Sequence, residues 1–309
     1  MFNYSQQAGL HCHLSRNFST FTGVFLALNI ASSITATLGN ALILVALQKE
    51  SSLNPPSKLF LRCMAFSDLG VGLLVQPAAV TSFLCAAYQL WNLCLLSGFI
   101  WNFVSAFFTG VSFASITAIS VDRHLALLLG IRYRQVVTIQ RTRVVVALFL
   151  VVSTAYCLTV LISYNVFIAS SVPMWSICLI ISTYCHTRIY LTLRNHIQAQ
   201  ITPQGQPNGI SPENLSRYRK TVSTTLWLLA AMIICNFPVF SVTIIGTATS
   251  PNLSLIMVQY FAVALIYFNS SLNPLLCCWK IREIRNAKSK RGKHNGSSFH
   301  FCPIKQLLL

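Results

Sequence analysis

Acidic residues are scarce in this 309-residue chain, which has 5 Asp and Glu against 22 Lys and Arg. The charged residue types together make up 9% of the sequence, whereas a soluble domain carries about 25%. A soluble globular domain is therefore excluded, and the hydrophobic content of 54% indicates an integral membrane protein. The shortage of carboxylates also argues against a tight divalent-metal site, which needs several of them.

Other patterns are missing as well. No internal repeat is visible, which argues against many transporter folds. His186 and His196 lie near the inner side without further ligands at metal spacing, so we do not expect an enzyme. Met1 is not followed by a basic segment and an apolar core, so we expect no cleavable signal peptide. The basic residues lie in short loops between apolar runs, which membrane topology explains better than binding to nucleic acid.

Seven apolar runs are long enough to cross a ~30 Å hydrocarbon layer, which takes roughly 20 helical residues each. Spans one to seven are predicted at 21–47, 58–86, 100–121, 143–165, 173–193, 219–247 and 254–279. The expected fold class is all-α, a seven-transmembrane helix bundle. It has an extracellular segment at 1–20, a bundle domain at 21–279, and a cytoplasmic region at 280–309 that begins with a short amphipathic helix.

An odd number of spans puts the two ends of the chain on opposite sides of the membrane. Under this topology only Arg16 of the 22 basic residues lies outside, so the positive-inside rule predicts an extracellular N-terminus. We expect a multi-pass protein of the plasma membrane. The Asn-x-Ser sequons at Asn3 and Asn17 would then be glycosylation acceptors, with chance occurrence as the alternative. The basic run after span seven suits contact with inner-leaflet lipids.

Span three carries a polar stripe that ends in an acid–base pair. Ser105, Thr109 and Ser112 follow helical steps that continue to Arg123, so these side chains share one face. A polar stripe on a lipid-immersed helix should face protein. We therefore expect span three to be the central helix of the bundle, with its functional end at Asp122 and Arg123.

Asp68 is the only acidic residue well inside a predicted span. A lone carboxylate in the membrane is costly and indicates a functional site by default. Ser112, Asn269 and Asn273 are expected at a similar depth, and the two asparagines share a face because they are four residues apart. These oxygen ligands suit a sodium ion or a water cluster. The alternative is a set of ordinary interhelical hydrogen bonds, worth about 0.6 kcal/mol each.

Five short motifs occur in order on five separate spans. They are Gly39-Asn40 in span one, Ser67-Asp68-Leu69 in span two, Asp122-Arg123-His124 at the end of span three, Cys235-x-x-Pro238 in span six and Asn273-Pro274 in span seven. Together they resemble the rhodopsin-like (class A) G-protein-coupled receptors over residues 20–285. The resemblance implies a bundle that binds an extracellular ligand and catalyses nucleotide exchange on an intracellular heterotrimeric G protein.

The resemblance also implies roles for individual residues. In that family the residue matching Arg123 faces the G protein, and the residue matching Asp122 restrains it. The group matching Asp68 and its polar neighbours binds an allosteric sodium ion in the inactive state. Kinked helices are two-state elements that a ligand shifts by binding one state better. The coupling and switch residues are accordingly expected to be Asp122, Arg123, His124, Pro238, Asn273, Pro274 and Cys277.

The chain also departs from the family pattern. Asn236 stands where the family has a Trp in span six, and Cys277 stands where a Tyr usually closes the span-seven motif. The expected acid at the foot of span six is absent, and residues 218–220 are Tyr, Arg and Lys. A weakened inner lock predicts basal activity, whereas lost switches predict poor coupling. A non-signalling decoy or heterodimer partner is therefore the main alternative, and a transporter is a more remote one.

The residues of the expected ligand pocket are mostly uncharged. Ser105 occupies the position where amine receptors of this family carry Asp, which argues against a biogenic amine. Span seven has no Lys, which excludes a retinal Schiff base. The expected wall suits a lipid, a small neutral molecule or a peptide anchor, although plain packing explains each residue equally well. Its members are Ser105, Thr109, Asn236, Phe240 and Tyr267.

The cysteines leave one pairing open. The family's usual disulfide joins the top of span three to the second outer loop, but the loop predicted here at 166–173 has no Cys. Cys94 lies near the top of span three and has two possible partners on the oxidising side, Cys12 and Cys85. The short loop and the missing bridge resemble the melanocortin, cannabinoid and lysophospholipid receptors.

Overall fold

The computed structural model describes residues 19–49, 54–201, 230–231, 233–246 and 253–292. Every regular element in these ranges is a helix. Six of the helices are long and apolar enough to cross a membrane, and a seventh, shorter apolar helix lies in span six. The predicted all-α bundle is confirmed. The predictions for Asn3, Asn17, Cys12 and residues 218–220, and for the side chain of Cys277, fall outside the described part of the chain.

A helix lies at each predicted span, because hydrophobic length decides where a helix can cross, but several helices run well beyond the predicted bounds. Below, "inner" and "outer" refer to the predicted orientation. In chain order the helices are Ser19–Lys49, Pro55–Gly70, Gln76–Ala87, Trp91–Leu129, Tyr133–Val136, Ile139–Ile162, Tyr164–Ile201, Ile233–Gly246 and Leu253–Gly292.

Span two is interrupted by a π turn at Val71–Val75, immediately before Gln76 and Pro77. Pro77 has no N–H to donate, and a π turn is one way for a helix to absorb that loss. Span one approaches the backbone closely here, since Ser33 Oγ donates to the carbonyl of Gly72 at 2.7 Å. A Cβ at Gly72 would lie 2.6 Å from Thr37 Oγ1. The irregular turn of span two therefore lies directly before Pro77.

Span five differs from its prediction. The segment 166–173 is helical rather than an outer loop, and Pro173 lies inside the helix Tyr164–Ile201 rather than at its start. The chain turns instead at Ser163, which is extended with φ −170° and ψ 154°. Proline is tolerated inside a membrane helix where neighbouring groups satisfy the freed backbone. The loop prediction was therefore wrong because Pro173 was interpreted as a helix start.

Span seven is longer than predicted. Its helix continues to Gly292, so the residues expected to form a short amphipathic helix belong to the same helix. Inside the membrane, span seven packs tightly on span one. A Cβ at Gly39 would overlap Pro274 Cβ, so only glycine permits this approach. The contact fixes the depth of the polar residues of span seven against those of spans one and two.

Candidate functional site

Asp68 is fully buried and lies at the junction of spans two, three and seven. Its Oδ1 accepts hydrogen bonds from Ser112 Oγ at 3.1 Å and from Ser270 Oγ at 2.9 Å. Its Oδ2 accepts one from Asn273 Nδ2 at 2.6 Å. Two of the three residues predicted beside Asp68 therefore bond to it. Charge-assisted bonds of this kind are stronger than neutral ones.

Ser270 is the member of this cluster that the sequence analysis missed. It lies three residues before Asn273 and so shares its face, a spacing that could have identified it. Asn269, which the sequence analysis named instead, lines a cavity next to the cluster. Ser270 also connects span one to the Asp68 cluster, because its carbonyl accepts a hydrogen bond from Asn40 Nδ2 at 3.0 Å. Four spans thus meet around one carboxylate.

The oxygen atoms around Asp68 fit the needs of a small hard cation. Three donors use part of the four lone-pair sites of a carboxylate, and each serine hydroxyl keeps lone pairs after it donates. Ser112 and Ser270 therefore present two further hard oxygens beside the carboxylate. The adjoining cavity leaves about 10 Å³ for the centres of water-sized molecules, about what a single water needs.

A second carboxylate, Asp122, lies buried at the inner end of span three. Its Oδ2 accepts a hydrogen bond from Ser57 Oγ at 2.7 Å, and its Oδ1 accepts one from Tyr133 OH at 2.5 Å. Arg123 Nε lies 4.0 Å from Oδ2, and the Arg123 side chain keeps 21% of its surface exposed. Asp122 is thus held mainly by two hydroxyls, and the Arg123 guanidinium is only loosely restrained.

Ser57 and Tyr133 were not expected as partners of Asp122. Ser57 lies in the first turn of the helix Pro55–Gly70, and Tyr133 follows a short 3₁₀ turn after span three. Their approach to Asp122 depends on how a connecting segment folds back, which no periodicity in the sequence records. The only available signal was an isolated Tyr between Arg132 and Arg134.

The remaining switch residues occupy separate places. His124 is buried, and its ring centroid lies 6.1 Å from that of Tyr184 on span five. Pro238 lies within the helix Ile233–Gly246, and Pro274 lies within the helix of span seven against Gly39. Spans three and five are also joined by Ser120 Oγ and His186 Nε2, which lie 3.1 Å apart. None of these contacts brings the two prolines together.

Tyr267 forms a hydrogen-bonded node in the outer half of the bundle. Its hydroxyl accepts from Trp101 Nε1 at 2.8 Å and lies 2.8 Å from Ser105 Oγ. The ring belongs to an aromatic cluster that includes Phe25 and Phe83. Ser105 and Tyr267, both predicted for the ligand wall, therefore contact each other. Trp101 was missed, although it lies four residues before Ser105 and so shares its face.

One cavity connects this node with the Asp68 cluster. Thr109, Asn236 and Tyr267 from the predicted ligand wall line it together with Ser112 and Asn269 from the predicted ion site. Phe240 is not among the described lining residues. The ligand wall and the ion site, which were predicted separately from the sequence, therefore line the same cavity. A side chain that moves in the ligand wall can contact residues of the ion site directly.

Comparison with known proteins assigns the chain to a family. The family profile described as 7 transmembrane receptor (rhodopsin family) matches residues 39–170 and 162–276. The chain belongs to the rhodopsin family of seven-transmembrane receptors. The resemblance inferred from the five motifs is thereby confirmed, and the likeness to the melanocortin, cannabinoid and lysophospholipid branch stays a prediction.

Relatives of this chain include several adenosine receptors. The chain is 25% identical over 305 residues to the human adenosine receptor A2a, covering 87% of this chain and 72% of the relative. It is 24% identical over 292 residues to the dog adenosine receptor A3, covering 84% of this chain and 88% of the relative. A shorter match to the bovine adenosine receptor A2b is 32% identical over 142 residues, covering 46% of this chain and 41% of the relative.

Within this rhodopsin-family receptor, one departure from the usual pattern falls on the shared cavity. Asn236, in place of the family's Trp, is buried and lines it. An amide at this position replaces a large apolar ring with a short polar group. It increases the polarity of the wall between the outer node and the Asp68 cluster.

Proposed function

We propose that this receptor binds an uncharged extracellular ligand and, in response, promotes nucleotide exchange on a heterotrimeric G protein. The observation that carries the proposal is the cavity shared by Tyr267, Asn236 and Ser112. A ligand that rearranges the outer wall acts on a residue that also bonds Asp68. Asp68 in turn ties spans two, three and seven, and span seven carries Pro274. A ligand shifts such a bundle only by its differential affinity for the two states.

The ligand class follows from the chemistry of the wall. The described residues that line the cavity are neutral, and Ser105 is engaged with Tyr267 rather than presenting a charge. None of these lining residues supplies a counter-charge for a cationic ligand, and the adjacent Asp68 carboxylate is engaged by Ser112, Ser270 and Asn273. The proposal therefore keeps the neutral classes: a lipid, a small neutral molecule or a peptide anchor. The relatives are named adenosine receptors, and adenosine is itself uncharged at neutral pH, which supports the small neutral molecule.

The Asp68 cluster is proposed to hold sodium in the inactive state. The carboxylate and the hydroxyl oxygens of Ser112 and Ser270 are hard ligands of the kind that small cations prefer. An ion at this position would hold spans two, three and seven together and oppose their rearrangement. Sodium would then lower the affinity of an activating ligand.

Arg123 is proposed as the residue that contacts the G protein. The test is basal nucleotide exchange, measured with purified G protein and membranes holding equal amounts of each variant. Arg123→Ala is expected to bring exchange to the receptor-free background. Arg143→Ala removes an exposed basic residue near the inner end of span four and is expected to match the wild type. Lipid and small neutral compounds can then be screened against the same exchange signal.

The competing proposal is a receptor-shaped protein that does not signal. It is favoured by Asn236, because the group that the family uses as a switch is replaced in the buried wall. If the wild type and Arg123→Ala both give the receptor-free background, the non-signalling proposal stands and the coupling proposal falls. Ion flux in liposomes would instead support the more remote transporter.

A further inference from the structure

Cys94 lies in the first turns of the span-three helix, is fully buried and is disulfide-bonded. Cys85, near the end of span two, packs against it but is a free thiol. The backbone of Leu90 joins the two, since its N–H donates to the Cys85 carbonyl and its carbonyl accepts from the Cys94 N–H, both at 2.8 Å. Of the two partners that the sequence left open for Cys94, the nearer one is therefore not used.

The other cysteines of the described residues are also free thiols. They are Cys63, Cys157, Cys178, Cys185 and Cys235. This leaves Cys12, Cys277, Cys278 and Cys302 as the possible partners of Cys94.

Three of these four lie too far from the outer surface. Cys277 follows Leu253, the outer start of the span-seven helix, by 24 residues, which is about 36 Å along the axis. Disulfide-bonded residues need their Cα atoms within about 7 Å of each other. Cys278 lies one residue further inward, and Cys302 follows the inner end of the same helix. We propose that Cys94 is bonded to Cys12, so that the N-terminal segment is covalently attached to the outer end of span three.

The chain length permits this bond. Cys12 precedes Ser19, the first residue of the span-one helix, by seven residues, which can reach about 25 Å when extended. The outer ends of spans one and three are close: the ring centroids of Phe25 and Phe83 lie 4.2 Å apart, and those of Phe83 and Trp101 lie 6.0 Å apart. Ser19 lies six residues before Phe25, and Cys94 lies seven residues before Trp101, which is about two turns toward the outer side in each case. Ser19 and Cys94 therefore lie at a similar depth, on helices that are both in reach of Phe83.

The bridge would replace a loop that the fold does not provide. Spans four and five are joined through Ser163 alone, so no second outer loop is available to carry a cysteine to Cys94. Bond formation removes two electrons and two protons from the thiols of Cys12 and Cys94. A protein disulfide of the secretory pathway accepts them and is reduced to two thiols, which requires the N-terminus to face the oxidising side. The product ties the N-terminal segment to the bundle at a second point besides the start of span one.

The test uses the full-length receptor at the cell surface with an epitope tag before Met1. Arg16 is the only basic residue predicted outside, so trypsin added to intact cells cuts between the tag and the bundle. On a non-reducing gel the tag is expected to stay with the wild-type receptor and to separate only after reduction. Cys12→Ser should release the tag without reductant. Cys85→Ser is the matched control and should behave as the wild type.

Peptide mapping of the unreduced wild type gives a second measurement that requires no variant. A linked peptide containing Cys12 and Cys94, with Cys85 alkylated, is expected. Release of the tag from cleaved wild type without reductant would overturn the proposal, and so would a Cys85–Cys94 peptide. Neither readout involves a G protein, so the bridge stands or falls separately from the proposed signalling.

Discussion

Asp68 and Asp122 are the two buried carboxylates of the described bundle, and they are held by different kinds of partner. Asp68 accepts hydrogen bonds only from helix interiors, on spans three and seven. Asp122 accepts them from the first turn of span two and from the segment after span three, through Ser57 and Tyr133. Only Asp122 has a cation beside it, Arg123. One carboxylate therefore joins helices, and the other positions a charged residue at the inner surface.

Removing the carboxylate at each place should have unequal effects on stability. Asp68→Leu leaves the donors of Ser112, Ser270 and Asn273 without their acceptor in a fully buried site. Each such group costs about 1–3 kcal/mol, so we expect a loss of several kcal/mol and a much lower melting temperature in detergent. Asp122→Leu strands two donors next to the inner surface, where water can replace the carboxylate. Equal losses in the two variants would contradict the distinction drawn between these sites.

Neutralising Asp68 without changing its shape isolates the proposed ion. A ligand present at ten times its Kd stabilises the folded state by about 1.4 kcal/mol. Wild-type receptor should therefore melt at a higher temperature in sodium chloride than in choline chloride of equal ionic strength, and Asp68→Asn should lose that difference. Asp122→Asn is the matched control and should keep it. Sodium stabilisation that persists in Asp68→Asn would place the ion elsewhere.

The sequence predicted the helix-held carboxylate better than the loop-held one, for a physical reason. Asp68, Ser112 and Asn273 occupy membrane helices, whose length and face follow from hydropathy and a fixed period. Ser270 was missed because Asn269 and Ser270, four and three residues before Asn273, both lie one helical turn from it and were equally good choices. Tyr133 reaches Asp122 through a 3₁₀ turn at Gly130–Arg132, and the geometry of such a turn is not encoded as a repeat.

The same limit explains the other differences from prediction. Pro173 is a common helix-start residue, but tertiary packing carries the helix nine residues further back, to Tyr164. The pairing of Cys94 also depended on packing, because Cys85 is the nearer cysteine in sequence yet stays reduced. Composition and helical period were enough to predict the seven spans, their order and the central place of span three. The contacts at the helix ends could be identified only in the folded structure.

Tyr133→Phe tests how the loop-held carboxylate acts on Arg123. Without the Tyr133 hydroxyl, Asp122 loses a short hydrogen bond and is expected to turn toward the Arg123 guanidinium, which now lies 4.0 Å away. A stronger ion pair favours the restrained state, and a shift of about 1 kcal/mol changes a two-state ratio roughly fivefold. We expect basal nucleotide exchange to fall by that order.

The matched control for this change is Tyr190→Phe, which removes a hydroxyl from an exposed tyrosine on span five. It should leave basal exchange at the wild-type value. A rise in exchange with Tyr133→Phe would mean that the Tyr133 hydroxyl strengthens the restraint on Arg123. The view that Tyr133 draws Asp122 away from Arg123 would then be wrong.

A neutral junction completes the comparison, because Tyr267 also joins spans three and seven but bonds no charged group. Tyr267→Phe removes its hydrogen bonds with Trp101 and Ser105. Interhelical hydrogen bonds in membranes are worth about 0.6 kcal/mol each, so the expected loss is about 1 kcal/mol by thermal unfolding, well below that of Asp68→Leu. The ring and its packing against the aromatic cluster stay in place. If the two losses were alike, burial and packing rather than charge would determine the strength of these junctions, and the special role assigned to Asp68 would have no basis in stability.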